Sequence, residues 1–131
     1  MKTTKILETC LCVDDLEAAE TFYRDVLGLE FYSKVEGRHC FFRCGDSMFL
    51  LFRSVATQIP GDIPTHGTTG QGHACFVMTH DEIESWKNQL SAKGVEIESE
   101  YEWPGGGISL YLRDPSGNSI ELATPDLWKL G

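Results

Sequence analysis

Residues 7–13 alternate between apolar and polar, with Leu7, Thr9, Leu11 and Val13 on one face and Glu8, Cys10 and Cys12 on the other. That period of two predicts a strand. The period then changes: Leu16, Ala19, Phe22, Tyr23, Val26 and Leu27 recur at helical spacing, opened by the capping candidates Asp14 and Asp15 and closed by Gly28. The spacing predicts an amphipathic helix of about three to four turns. Three short apolar segments follow, at 29–35, 39–43 and 48–53, separated by the hairpin signals Glu36-Gly37-Arg38 and Gly45-Asp46-Ser47. The first half therefore reads β-α-β-β-β.

Residues 54–72 break the pattern with Pro, Gly and Thr and no sustained period, as a linker or a mobile flap does. His66 within it reads as a solvated loop residue. The pattern restarts with a strand at 73–78. Thr79-His80-Asp81-Glu82 then matches a capping box ahead of Ile83, Trp86 and Leu90 at helical spacing, and Gly94 ends the helix. Segments 95–101, 108–113 and 119–124 read as three strands, so the second half is β-α-β-β-β as well. An internal repeat of this kind decides the fold class. The expectation is one α+β domain over residues 1–131, with modules at about 5–54 and 72–125 and a linker at 55–71. Trp103-Pro104-Gly105-Gly106-Gly107 is an insertion of the second module, a loop suited to the rim of a site.

The last hairpin carries the most informative polar residue. Around Asp114-Pro115-Ser116-Gly117-Asn118, a run rich in turn formers, period two puts Ile120 and Leu122 on one face and Glu121 on the other. Alone, Glu121 reads as a charge on a wet sheet face. The repeat changes this, because it aligns Glu8 with His73 in the first strands and Phe49 with Glu121 in the last strands. All four are expected opposite the helix-packing residues, and they converge inside one cup if the two sheets curl towards each other.

Charge and composition narrow the function. A net charge of -9 repels phosphate backbones, and the Lys and Arg residues are scattered, which argues against nucleic-acid binding. No apolar run approaches the length of a membrane span, and the polar start Met1-Lys2-Thr3-Thr4-Lys5 lacks the apolar region of a signal peptide, so a cytoplasmic location is expected. The five cysteines are odd in number and lie in strand-like runs, which suggests reduced core thiols.

Val13-Asp14-Asp15-Leu16-Glu17, Phe22-Tyr23-Arg24-Asp25-Val26-Leu27-Gly28-Leu29, Gly72-His73-Ala74 and Arg113-Asp114-Pro115-Ser116-Gly117-Asn118-Ser119-Ile120-Glu121 together resemble the vicinal oxygen chelate superfamily. That group includes glyoxalase I, fosfomycin-resistance proteins, extradiol dioxygenases and bleomycin-resistance proteins. The resemblance implies two βαβββ modules forming a curved mixed sheet around a cup, with a metal site fed by the first and last strands. Carried over, the ligands fall on His73, Glu121 and Glu8, and the fourth position, a glutamate in glyoxalase I, falls on Phe49. This departure argues against a standard glyoxalase I.

One imidazole and two carboxylates suit a divalent ion, with Mn, Fe, Ni and Zn all admissible. Such a site leaves positions for two neighbouring oxygens of a small substrate, with Glu8 or Glu121 doubling as catalytic base. Strand parity adds His39, Phe41, Leu51 and Tyr111 to Phe49 as pocket walls, and Arg113 joins them. The leading expectation is a metal-dependent enzyme, a lyase, isomerase or dioxygenase, working as a homodimer with Glu8 supplied by the same chain or its partner. The alternative is a metal-free protein that sequesters a small molecule, as bleomycin-resistance proteins do. A purely structural or regulatory domain is the third.

Overall fold

In the computed structural model, which describes residues 1–130, the chain divides into two compact units, Met1–Gly70 and a second beginning at Gln71. The first unit runs β1 (Glu8–Val13), α1 (Leu16–Thr21), a π-helical turn (Phe22–Val26), β2 (Glu30–Val35), β3 (His39–Cys44), β4 (Ser47–Arg53) and a short helix α2 (Ser54–Thr57). Its four strands form one sheet in the order β1-β4-β3-β2, with β1 parallel to β4 and the other pairs antiparallel.

Asp15 caps α1 by accepting the Ala18 N–H at Oδ1, 3.1 Å away. The continuous helix expected from the spacing instead widens after Thr21, where Leu27 N–H bonds the Phe22 carbonyl five residues back. The wider turn keeps Phe22, Tyr23 and Val26 buried together. Gly28 then takes φ +73°, the left-handed conformation that ends the element without the Cβ penalty other residues meet there. The segment after β4 also departs from a plain linker. It opens with α2, in which the Thr57 hydroxyl donates to the Ser54 carbonyl, and it returns through a His66 N–H to Thr57 carbonyl bond.

The second unit runs β5 (His73–Val77), a 3-10 turn (His80–Glu82), α3 (Ile83–Ala92), β6 (Ser99–Glu102), β7 (Ile108–Arg113), β8 (Ser119–Ala123) and a final 3-10 turn (Pro125–Trp128). Its sheet order is β5-β8-β7-β6, the same topology as the first, so the protein is an α+β fold of two βαβββ modules. The capping box is formed: Thr79 N–H donates to Glu82 Oε2 at 2.8 Å while the Thr79 side chain accepts the Glu82 N–H.

The strand expected from residue 95 begins only at Ser99. The reason is the helix end: Gly94 at φ +69° lets Gly94 N–H bond the Ser91 carbonyl and Val95 N–H bond the Leu90 carbonyl, a Schellman closure that uses the donor a strand would need.

One buried polar cluster ties the β7–β8 turn to the start of β5. Asp114 Oδ1 accepts the N–H groups of Ser116 and Asn118, and Oδ2 accepts the Asn118 side-chain amide. Asn118 Oδ1, the side-chain amide oxygen, accepts Gly72 N–H at 2.7 Å. With Asn118 only 1% exposed, Asn118→Ala removes the hydrogen bonds its side chain makes to buried Asp114 and to the part-buried Gly72 N–H, and a loss of about 1–3 kcal/mol is expected in urea unfolding.

Candidate functional site

His73 opens β5 and Glu121 lies mid-strand in the neighbouring β8. Their register pairs His73 with Ser119 and Cys75 with Glu121, so the imidazole and the carboxylate leave the same sheet face. Nε2 of His73 stands 3.3 Å from Oε2 of Glu121. The other ring nitrogen, Nδ1, is 2.9 Å from the Ser119 carbonyl oxygen. A carbonyl can only accept, so Nδ1 carries the proton. In the neutral ring Nε2 then presents a lone pair towards a carboxylate oxygen, an opposition that a proton or a cation between them would relieve.

His73 Nε2 and Glu121 Oε2 are two atoms that could serve as ligands of a divalent cation. A ring nitrogen held by a backbone carbonyl is the usual support of a metal-ligating histidine, since it fixes both tautomer and orientation. The His73 side chain is half exposed and the Glu121 side chain only 10% exposed, so the imidazole is accessible while the carboxylate is anchored.

Glu121 is anchored through residues that charge and motif reading passed over. Its Oε1 accepts the hydroxyl of Ser109 at 2.5 Å, and Ser109 Oγ in turn accepts the indole N–H of Trp103 at 2.8 Å. Although Cys75 is exposed as a residue, partial desolvation of its thiol and the Glu121 charge push it up to about 12, and the same two causes raise the Tyr111 phenol, which faces Glu121 across β7 and β8. Strand parity alone places Ser109 on the face of Tyr111, and that was the signal available for it. Arg113, on that face too, is occupied: Nε donates to Glu98 Oε2 at 3.0 Å and Nη1 to the Gly117 carbonyl at 3.1 Å.

In the first unit, Glu8 is exposed at the head of β1, paired in register with Met48. Among the described residues no group of three or more His, Cys, Asp or Glu side chains is placed to hold a metal ion. His39 and Phe41 are stacked with ring centroids 3.9 Å apart, and Phe52 meets both edge-on. Arg38 Nη1 donates to His39 Nδ1, and burial together with that guanidinium lowers the His39 pKa, so the ring is neutral at pH 7. His66 is exposed but not purely solvated, its ring lying edge-on to Phe52 at 4.6 Å.

The structure corrects Phe49 and Leu51 as pocket residues. Phe49 is 2% exposed and packs on Tyr23 of the helical segment at 5.0 Å, and Leu51, two residues on, shares that face and is fully buried. His39 and Phe41 pair instead with Phe52 and Leu50, which therefore lie on the face opposite the helix.

The physical reason is turn length. Between paired Arg43 and Met48 stand residues 44–47, but between paired Arg113 and Ser119 stand residues 114–118, one more. Leu50 pairs with Cys10 and Phe41 as Glu121 pairs with Cys75 and Tyr111, so Leu50, not Phe49, is the counterpart of Glu121. It is equally unable to ligate. The cysteines need correction also: all are free, but among them only Cys40 is buried, with burial and Glu20 pushing its thiol up to about 11.

Residues 5–122 match the model of the glyoxalase/bleomycin resistance protein/dioxygenase superfamily. A solved lactoylglutathione lyase from Agrobacterium tumefaciens is 42% identical, with a TM-score of 0.95 over 99% of this chain and 100% of that one. The glutathione transferase FosA of Serratia marcescens is 28% identical over 86% of this chain and 74% of its own length. An integron cassette protein from the mobile metagenome of a Halifax Harbour sewage outfall is 25% identical, with a TM-score of 0.76 over 93% of this chain and 99% of that one.

Proposed function

The chain belongs to the glyoxalase/bleomycin resistance protein/dioxygenase superfamily, and from that premise we propose that it is a divalent-metal-dependent enzyme acting on a small oxygenated substrate that chelates the ion. His73 and Glu121 are the core ligands, with Glu8 as a third, supplied by this chain or by a homodimer partner. The observation that carries the reading is the Nε2 lone pair of His73 aimed at the Glu121 carboxylate at 3.3 Å, with Nδ1 committed to the Ser119 carbonyl. When bound, a divalent ion supplies Lewis acidity towards two neighbouring substrate oxygens.

The chain's own residues do the rest. The Ser119 carbonyl orients the imidazole and Ser109 holds one carboxylate oxygen of Glu121, and either Glu8 or Glu121 would serve as the catalytic base. Leu50 at the fourth position favours a reaction other than that of a standard glyoxalase I, although a 42% identical relative is named a lactoylglutathione lyase. Both relatives carry glutathione in their names, so glutathione conjugates are the first substrates to assay.

Tag-free protein should contain about one equivalent of Mn, Fe, Ni or Zn by elemental analysis, in a dimer by light scattering. His73→Ala should purify without the metal. The second reading, a metal-free sequestering protein, rests on the same 3.3 Å contact taken as an ion pair of a protonated imidazole. Wild-type protein that takes up none of the four ions, yet binds its ligand unaltered by chelator, would establish it.

A further inference from the structure

We propose that Trp103 and Ser109 form a positioning relay that fixes the Glu121 carboxylate, so that Oε1 is spoken for and Oε2 is left to face His73. This rests on the metal-site reading above and names residues that act through Glu121 rather than on substrate.

The direction of the relay follows from the chemistry of its members. An indole N–H can only donate, so Ser109 Oγ, 2.8 Å away, accepts from Trp103. The serine hydroxyl must then spend its one proton elsewhere. Glu121 Oε1 is 2.5 Å away, and a carboxylate is a stronger acceptor than the nearby Tyr111 phenol. Ser109 is fully buried and Glu121 is 7% exposed, so water does not offer either group a ready alternative. The Ser109 bond, alongside the Tyr111 and Cys75 side chains that also hydrogen-bond Glu121, restrains the carboxylate with Oε2 at 3.3 Å from Nε2.

The relay begins in a loop built to deliver it. Trp103 N–H bonds the Gly107 carbonyl and Gly106 N–H bonds the Trp103 carbonyl, closing a tight turn around the Pro-Gly-Gly-Gly insertion. Gly107 has φ +95°, and a Cβ there would stand 2.6 Å from Leu127 Cβ, so any side chain displaces the loop. Tyr101 supports the indole edge-on, at 4.7 Å between centroids. The insertion is thus a device of the second module that brings an indole donor to Ser109, the residue that bonds the carboxylate.

The test combines Mn²⁺ titration calorimetry with nitrogen-15 NMR of the indole and imidazole groups, the Trp103 resonance being assigned by its loss in Trp103→Phe. In Ser109→Ala, folded by circular dichroism, Mn²⁺ affinity is expected to fall about 10–100-fold, the usual cost of an outer-shell partner. Ser109→Thr, which keeps the hydroxyl, should restore affinity to within about threefold of wild type by the same reasoning. In the metal-free protein, Ser109→Ala and Glu121→Gln should each move the Trp103 indole resonance, and Ser109→Ala should also move that of His73.

Unchanged Mn²⁺ affinity in folded Ser109→Ala overturns the relay. If wild-type protein binds none of the four ions, the metal reading fails by itself and the relay stands or falls on the metal-free spectra. His73 resonances indifferent to Ser109→Ala then overturn it.

Discussion

Glu121→Gln is expected to abolish metal binding while leaving the metal-free fold as stable as wild type or more so. The opposite signs come from the geometry of one oxygen. A glutamine keeps an acceptor for the Ser109 hydroxyl, which donates to Oε1 at 2.5 Å. It also replaces Oε2 by an amide nitrogen, and that atom faces the His73 Nε2 lone pair at 3.3 Å. An acceptor opposed to an acceptor becomes a donor opposed to an acceptor, worth about 0.5–1.5 kcal/mol in a typical intramolecular pair. For a cation the same change is ruinous, since the carboxylate charge is gone and the lone pair is engaged.

The affinity loss should exceed the about 10–100-fold that follows from losing an outer-shell partner. Turnover should fall with it. Calorimetric titration with Mn²⁺ and urea unfolding in chelator measure the two halves separately. A Glu121→Gln protein that is destabilised without metal would mean that His73 is a protonated ion-pair partner, and would support the metal-free reading.

What could be read from the chain beforehand divides along a physical line. Period and turn chemistry are local, and they carried the strands apart from the late start of β6, the main helix of each module but not α2, the repeat and the capping box at Thr79, because each depends on residues a few positions apart. The face of Glu121 was legible for the same reason. The π turn at Phe22–Val26 was not, since the apolar spacing of Phe22, Tyr23 and Val26 is compatible with either winding and packing against the sheet decides. Nor was Ser109, an ordinary strand residue until the fold puts an indole on one side of it and a carboxylate on the other. Register was the costliest gap. Aligning the halves on their turn glycines, Gly45 and Gly117, hides the extra residue of the second turn, and a slip of one reverses every side chain.

That slip leads to a sharp expectation for Phe49. On the helix face it is 2% exposed, packs on the Tyr23 ring at 5.0 Å, and lies in register with fully buried Phe42, which also meets Tyr23. Removing a ring from such a position takes away its transfer free energy and leaves a void that its rigid aromatic neighbours fill poorly. Phe49→Ala should therefore cost about 3–5 kcal/mol, read as a lower urea midpoint at unchanged slope.

Phe41→Ala is the matched control. Phe41 is part-exposed on the opposite face against His39, so its truncation should cost clearly less. A pocket residue behaves in the reverse way, moving KM and sparing stability. Phe49→Leu, which retains most of the core volume, separates the two cases: on the helix face it leaves KM at the wild-type value once the protein is folded. A shift in KM at wild-type stability would return Phe49 to the pocket face and place Leu50 in the core.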